Sequence, residues 1–567
     1  MSQTVSVAVA EDPLVNLQRQ IVWNRLLAVV EEQAQTLIRA SFSIAVREAN
    51  DLSAGMFDTS GRMLAQAVTG TPGHVNTMAQ SVAHFLQKFP LATMRPGDVF
   101  VTNDPWLAAG HLNDFCVVSP AFHNGRPVAF SALVTHLVDV GGRGMGPDGR
   151  QVFEEGVTFP IMPLARGGVL NEDLMGIILA NTREPLQVEG DLKALIAAGE
   201  EGQRRLLEIM VEFGLDDLTA LASYIIDQSY AATVRAIGKL PPGTYRNSMT
   251  VDGYDAPLTI VATCTVEADR VKVDYTGTSP MSRYGINVVE PYAAAYTCFG
   301  LKCAIAPDIP NNAGSLAPFI VSAPPGSILH ALRPAPVAAR HIIGLMLPDV
   351  VFGCLDAVLP GGAQAEGGLM WSPHFNGTVA EAGGARRPWV SSGFFSNGGT
   401  GARPAKDGLS TTAFPAGVKS VPVEAAELVS PIVIWRKEFR PDSGGAGKRR
   451  GGLGQIITVG TTDGAAFNLQ AMFDRVQHPA RGRAGGANGA PGRLRLESGP
   501  ALRSKGLQEI PAGDRLHLEL PGGGGIGDAR ERAVDAVLED VENGLVSAAA
   551  ARSDYGIDVS ARCRTAP

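Results

Sequence analysis

Glycine crowds residues 363–530, and that crowding limits the fold more than any other feature of the chain. So much backbone punctuation rules out long helices there, because each interior Gly costs about 0.5–1 kcal/mol relative to Ala. The stretch reads instead as short strands, at 432–439, 454–460 and 515–520, joined by turns and close crossings. Across 567 residues Gly and Pro number 66 and 38, while 45% of residues are hydrophobic and only 18% charged. A chain this apolar can bury a large core and is not disordered. A net charge of −8 offers no general basic face, which argues against nucleic acid as a partner.

The earlier part of the chain alternates in character. Residues 13–40 carry Leu17, Ile21, Val22, Leu26, Val29 and Val30 at three- and four-residue spacing, which predicts a helix starting near Pro13. Two β-rich runs, 115–120 and 128–136, flank His123-Asn124-Gly125 and predict a hairpin. Residues 172–238 read as helix, ended by Leu240-Pro241-Pro242-Gly243. Residues 244–330 read as strands, 336–362 as a buried helix and 528–550 as a terminal helix. The buried helix contains Pro348, Asp349 and Asp356, which suits core better than a membrane span. The first residues lack the pattern of a secretory signal. Six scattered Cys (116, 264, 298, 303, 354 and 563) form no CxxC pair and read as reduced, mostly buried thiols of a cytoplasmic protein.

Chemistry concentrates in one segment. His111 and Asp114 are three residues apart, and hairpin pairing can return His136 beside them. Two imidazoles and a carboxylate suit a divalent ion such as Zn²⁺, Mn²⁺ or Fe²⁺. A fourth ligand can come from Glu48 or Asp51. The same spacing also suits hydrogen-bonded histidines of a β-rich fold, although five of the ten His fall within residues 74–136. Asp139 either orients a histidine or caps the following Gly turn. Glu154 and Glu155 form either a base near a metal or a solvated loop.

The loop from Asp442 to Gly454 imitates a phosphate loop, but Asp442 stands where the first Gly is required and Arg449 replaces Ser or Thr. Its backbone N–H groups and three cations suit an anion or a subunit contact. The run Pro521–Asp528 suits an anion site or, better, a tight crossing with Asp528 capping the next helix. No dinucleotide fingerprint and no Ser/His/Asp signature is present.

Taken together, several ordered stretches resemble the B-type subunit of the hydantoinase/oxoprolinase family, which includes N-methylhydantoinase B subunits and the metal-bearing subunit of acetone carboxylase. They are 47–58, 103–106, 111–114, 135–142, 274–278, 334–336, 442–447, 451–454 and 522–528. The resemblance implies an A-type partner subunit that binds ATP and phosphorylates a substrate oxygen. It implies a divalent metal here, held by His111, Asp114 and His136 with Asp51 as fourth ligand. Glu48 is the alternative fourth ligand or a group that orients one. Asp139, Glu154 or His74 would take a proton from the attacking water. One departure is Leu137, where relatives often carry a second consecutive His; the residues flanking His74 also differ.

The implied activity is ATP-dependent hydrolysis of a cyclic amide, such as a hydantoin, 5-oxoproline or another lactam. Alternatives are ATP-dependent carboxylation of a ketone such as acetone or acetophenone, or a non-catalytic scaffold subunit. The expected fold class is α+β: a metal-bearing catalytic region at 1–240, a mixed β region with a buried helix at 241–362, and a Gly-rich β region with a C-terminal helix at 363–567.

Overall fold

The computed structural model describes residues 13–380, 383–391 and 393–559. The start of the chain and Cys563 lie outside the described residues. The architecture is mixed α+β, with 31% helix and 24% strand.

Helix α1 spans Pro13–Ala40, and α2 (Ile44–Arg47) leads into a seven-stranded sheet. Its strands are β1 (Leu52–Phe57), β2 (Met63–Gln66), β3 (Val99–Thr102), β4 (Asp114–His123), β5 (Arg126–His136), β6 (Met162–Arg166) and β7 (Val169–Leu170). They lie in the order β2-β1-β5-β4-β3-β6-β7 and pair antiparallel throughout. The β4–β5 hairpin forms as expected. Asn124 and Gly125 adopt φ of 49° and 74°, the left-handed pair that a tight hairpin turn needs.

Period-two alternation gives this sheet two covered faces. On one, Phe57, Phe100, Val118, Phe130 and Val134 pack under helix α3 (Pro72–Lys88) through Met78, Val82 and Phe85. The other face is covered by α1 together with α5 (Pro185–Glu212), which follows the short α4 (Glu172–Ala180). The expected helix at 172–238 is therefore three helices, the last being α6 (Thr219–Ile237), with Pro185 and Gly214 at the breaks.

The region expected to be all strand also departs from expectation. Strands β8 (Gly243–Val251), β9 (Leu258–Val266), β10 (Val271–Asp274) and β11 (Phe319–Ser322) form one sheet. Helix α7 (Glu290–Ile305) and the short α8 (Ala313–Leu316) interrupt them. Pro291 in the first turn and the run Ala293–Ala295 favour helix at α7, and these signals were outweighed by the surrounding alternation. The buried helix at 336–362 contracts to α9 (His341–Gly344) and α10 (Leu347–Leu355). The terminal helix is split by Gly544, at φ 69°, into Val534–Glu542 and Ala548–Ser553.

The Gly-rich region forms two four-stranded sheets, and the three strands read there from sequence all appear, at Ile432–Phe439, Gln455–Thr461 and Leu516–Glu519. Its glycines serve close crossings. A Cβ on Gly522 would lie 1.8 Å from the Ser443 carbonyl oxygen, and one on Gly451 would lie 1.9 Å from that of Gly523. Two of the three cations of the phosphate-loop mimic are engaged elsewhere: Lys448 pairs with Glu531, and Arg450 with Asp540. Asp528 caps only a short 3₁₀ turn. One hydrophobic cluster runs from Ala34 to Leu520, joining the N-terminal sheet to the Gly-rich sheets. No described helix is long and apolar enough to cross a membrane.

Candidate metal centre

Strand register builds the site. Asp114 pairs directly with His136 across β4 and β5, and Leu52 pairs with Thr135 across β1 and β5. Asp51, one residue before Leu52, therefore comes opposite His136, whose backbone N–H donates to the Asp51 carbonyl. Cys116, Val118, Phe130 and Val134 set the parity: the even positions of β4 and β5 face α3. Asp114, His136 and Asp51 thus line up on that face at the end of the sheet. His74, in the first turn of α3, covers them, and His111 enters from the turn before β4. The same alternation explains Leu137. Its side chain is fully buried in the main hydrophobic cluster and does not line the cavity beside His136.

Asp114 is the hub. Its Oδ1 lies 2.7 Å from His111 Nε2 and 3.1 Å from His136 Nδ1, and its Oδ2 lies 2.9 Å from His74 Nε2. The buried Arg340 guanidinium also donates to Oδ2. Arg340 is locked on two further sides: Nε donates to the Ala109 carbonyl at 2.6 Å, and the guanidinium stacks 4.0 Å over Tyr292. Gly110 makes room for it, since a Cβ there would approach the Arg340 side chain to 2.6 Å and its φ is +95°. Asp51 accepts from Thr71 Oγ1 at 2.9 Å and lies 3.7 Å from His74 Nδ1 and 4.0 Å from His136 Nδ1.

Electrostatics sort these groups. Burial by itself would raise the Asp114 carboxyl, but His111, His74 and Arg340 around it hold it well below the usual range. Burial, reinforced by the Arg340 charge, pushes His111 down to about 4. Burial works against protonating His74 as well, yet the Asp114 and Asp51 carboxylates overcome it and raise that imidazole. His111 Nδ1 lies 3.0 Å from the Ala338 carbonyl, which can only accept, so the proton sits on Nδ1. With Nδ1 engaged there, Nε2 is the ring atom left for the Asp114 carboxylate, 2.7 Å away, or for a cation beside it.

Other donor atoms fit the same conclusion. His111, Asp114 and His136 offer ligand atoms all within 4.8 Å of one another, a spread one ion can bridge. The buried Nδ1 of His74 and Nε2 of His136 have no hydrogen-bond partner. The residues present therefore suit a divalent metal.

Sequence reasoning missed three contributors and took the wrong member of an acidic pair. Arg340 and His341 lie in the cavity wall, and His374 is buried close enough to His136 and His111 to feel their charge. Burial holds His341 well below its ordinary range and His374 at about 3, so both rings are neutral. Glu155, not Glu154, is the buried member of its pair. Its carboxylate accepts the backbone N–H groups of Val337 and Ala338 and so fixes the carbonyl that orients His111. Burial pushes Glu155 up to about 8. Arg340, His341 and His374 lie more than 200 positions from His111, and nothing local in the sequence separates Glu155 from Glu154.

Three expected residues are placed elsewhere. Asp139 is bound by the Arg183 side chain at 2.8 Å and the Arg183 backbone N–H at 2.6 Å. Glu154 pairs with Arg143 at the surface, and Glu48 is half-buried after α2 beside Arg47. None of the three lines the cavity.

The cavity itself measures about 30 Å³, and its polar end is the His/Asp cluster. Comparison with known proteins then gives a consistent result. The profile of the family described as Hydantoinase B/oxoprolinase matches residues 16–529. The caprolactamase subunit beta of Pseudomonas jessenii is 29% identical over 95% of each chain. The crystal structure of ATP-dependent caprolactamase from that organism superposes with a TM-score of 0.87 at 26% identity, over 97% of this chain and 98% of that one. Nucleotide-free acetone carboxylase shares the fold, with a TM-score of 0.84 at 18% identity over 95% of this chain and 79% of that one.

Proposed function

Because the chain belongs to the hydantoinase B/oxoprolinase family, we propose that it is the subunit that completes ATP-dependent opening of a cyclic amide, working with an A-type subunit that binds ATP. The observation that carries this reading is the convergence of His111, Asp114 and His136 on one face of the sheet end, beside a cavity.

An amide resists water because resonance makes its carbonyl a poor electrophile. In the proposed sequence the partner transfers the γ-phosphoryl group of ATP to the amide oxygen, leaving ADP and an imidate-like phosphate. Water adds to the former carbonyl carbon, and the carbon–nitrogen bond breaks as nitrogen takes a proton. A second water then releases inorganic phosphate and the free carboxylate. His111, Asp114, His136 and Asp51 would hold a divalent ion, which would supply Lewis acidity toward water.

The chain's own groups do the rest. Of the three expected proton acceptors, His74 is the one beside the cluster: Nε2 is anchored on Asp114, and the unpartnered Nδ1 accepts the proton of water and returns it to the departing nitrogen. The Asp114 and Asp51 carboxylates stabilise the protonated ring in between. Arg340 keeps Asp114 ionised and fixed. Glu155 keeps the His111 ring oriented through Ala338.

The fold likeness to acetone carboxylase supports a second reading, in which the same cluster serves ATP-dependent carboxylation of a ketone. Co-purified complex, supplied with ATP, labelled bicarbonate, and a panel of lactams, hydantoins and ketones, separates them. We expect ring-opened amino acid and ADP in equal amounts and no label in product. Label fixed into a ketone-derived acid, without ring opening of any amide, would overturn the hydrolytic reading. A purified chain with no stoichiometric metal would favour the scaffold.

A further inference from the structure

We infer that Asp104 and Trp106 are positioning residues for the metal cluster, acting through Arg333 and Ala331 on the segment that carries Ala338 and Arg340. Their role rests on the reading of His111, Asp114 and His136 as a metal centre. It gives a task to the stretch Asn103-Asp104-Pro105-Trp106, which follows β3 and which the chemistry leaves unused. None of these four residues lines the cavity, so they do not touch the reacting atoms.

Asp104 and Trp106 grip the start of the segment. The Trp106 indole N–H donates to the Ala331 carbonyl at 2.8 Å. Asp104 accepts the Trp106 backbone N–H at 3.0 Å and the Arg333 guanidinium, which lies 4.4 Å over the Trp106 ring. The far end of the segment returns to the same part of the chain, where Arg340 binds the Ala109 carbonyl and Asp114. One stretch, 104–114, thus braces 331–340 at both ends. Ala338, whose carbonyl faces His111 Nδ1, hangs between the two grips.

Asn103 adds a cross-tie. It is fully buried, and its Nδ2 donates to the carbonyls of Leu112 and Val157, each at 2.9 Å, while Oδ1 accepts the Phe159 N–H at 2.7 Å. Leu112 follows His111 directly, and Val157 continues the loop that carries Glu155. Glu155 in turn holds Val337 and Ala338. The ligand turn, the Glu155 loop and the Arg340 segment are therefore joined by one contiguous hydrogen-bond network, through which a shift at Ala331 reaches His111.

The outer grip is the one that can be removed cleanly. The Arg333 side chain is 49% exposed, against 3% for Arg340, and pairs with an exposed partner add little to stability. A matched pair stands at the other end of β3. There the buried Asp98 accepts from Arg166 at 2.9 Å, and Arg166 lies 5.0 Å over Phe89. Its make-up is the same, but it leads to the β6–β7 edge of the sheet and touches nothing in the cluster.

The test is read on the metal itself. The full chain is freed of metal by chelation and titrated with Co²⁺. Affinity, visible absorption of the bound ion and thermal unfolding are recorded for wild type, Arg333→Ala, Trp106→Phe and Arg166→Ala. We expect Arg333→Ala and Trp106→Phe each to weaken Co²⁺ binding by about 10-fold, the low end for groups that orient metal ligands, and to alter its absorption. Arg166→Ala is expected to keep wild-type affinity and absorption, even with an equal fall in melting temperature. Wild-type affinity and absorption in both Arg333→Ala and Trp106→Phe would overturn the inference. So would the same change in Arg166→Ala, which would trace the effect to stability alone. If Trp106→Phe does not fold, Arg333→Ala decides by the same criteria. The expected Co²⁺ response in a chain whose complex opens no cyclic amide would support the positioning role and count against the hydrolytic reading alone. A wild-type chain that binds no Co²⁺ would overturn both.

Discussion

Replacing His136 by alanine is expected to strip the divalent metal from the chain and lower ATP-dependent turnover of the complex by at least about 100-fold, with the fold retained. The reason for choosing this residue is structural. His136 sits at the last position of β5, its Nε2 has no partner, and Asp114 keeps three other neighbours without it. Asp114→Ala is a poorer probe. It would leave the buried Arg340 guanidinium uncompensated, which typically costs about 3–5 kcal/mol. Loss of function there would not distinguish a missing ligand from a damaged fold. Metal content by elemental analysis, circular dichroism and turnover, measured together on His136→Ala, check the prediction. Full metal occupancy with wild-type turnover would remove His136 from the site.

Gly523→Ala is expected to destabilise the chain by at least about 3 kcal/mol, at or beyond the upper end of ordinary overpacking. The added Cβ would lie 1.9 Å from the Thr400 carbonyl oxygen and 2.2 Å from its carbon, so backbone itself would have to move. Gly523 also accepts from Gly445 and donates to the Gly452 carbonyl, so the displacement would propagate through three crossing segments. Gly176→Ala is the control. Gly176 lies in α4, where an added Cβ would meet nothing within 4 Å, and alanine there is expected to stabilise by up to about 1 kcal/mol. Thermal unfolding of the two variants beside wild type gives the comparison. A Gly523→Ala chain as stable as wild type would mean that the crossings tolerate side chains.

Much of this was legible because it is local. The Asn-Gly turn announces the β4–β5 hairpin, and the hairpin alone carries Asp114 to His136. Glycine density announces crossings rather than a nucleotide loop, since Asp442 and Arg449 break the required spacing. What was not legible depends on distant segments meeting. Nothing near Arg340 in sequence reveals that its partner is Asp114, 226 positions away. His341 and His374 stand apart from the histidine-rich segment, yet the fold returns them to it. Glu155 could not be told from Glu154 by composition, because only burial against Val337 and Ala338 separates them. Leu137 looked like a lost chemical group, but strand alternation turns its side chain into the core.

The most direct test of the central claim is ring opening by the purified complex before and after removal of its metal. With ATP and a lactam, the metal-loaded complex is predicted to form ring-opened amino acid. Chelation should abolish this, and one equivalent of divalent ion per chain should restore it. Undiminished ATP-dependent ring opening by the metal-free complex would contradict the account.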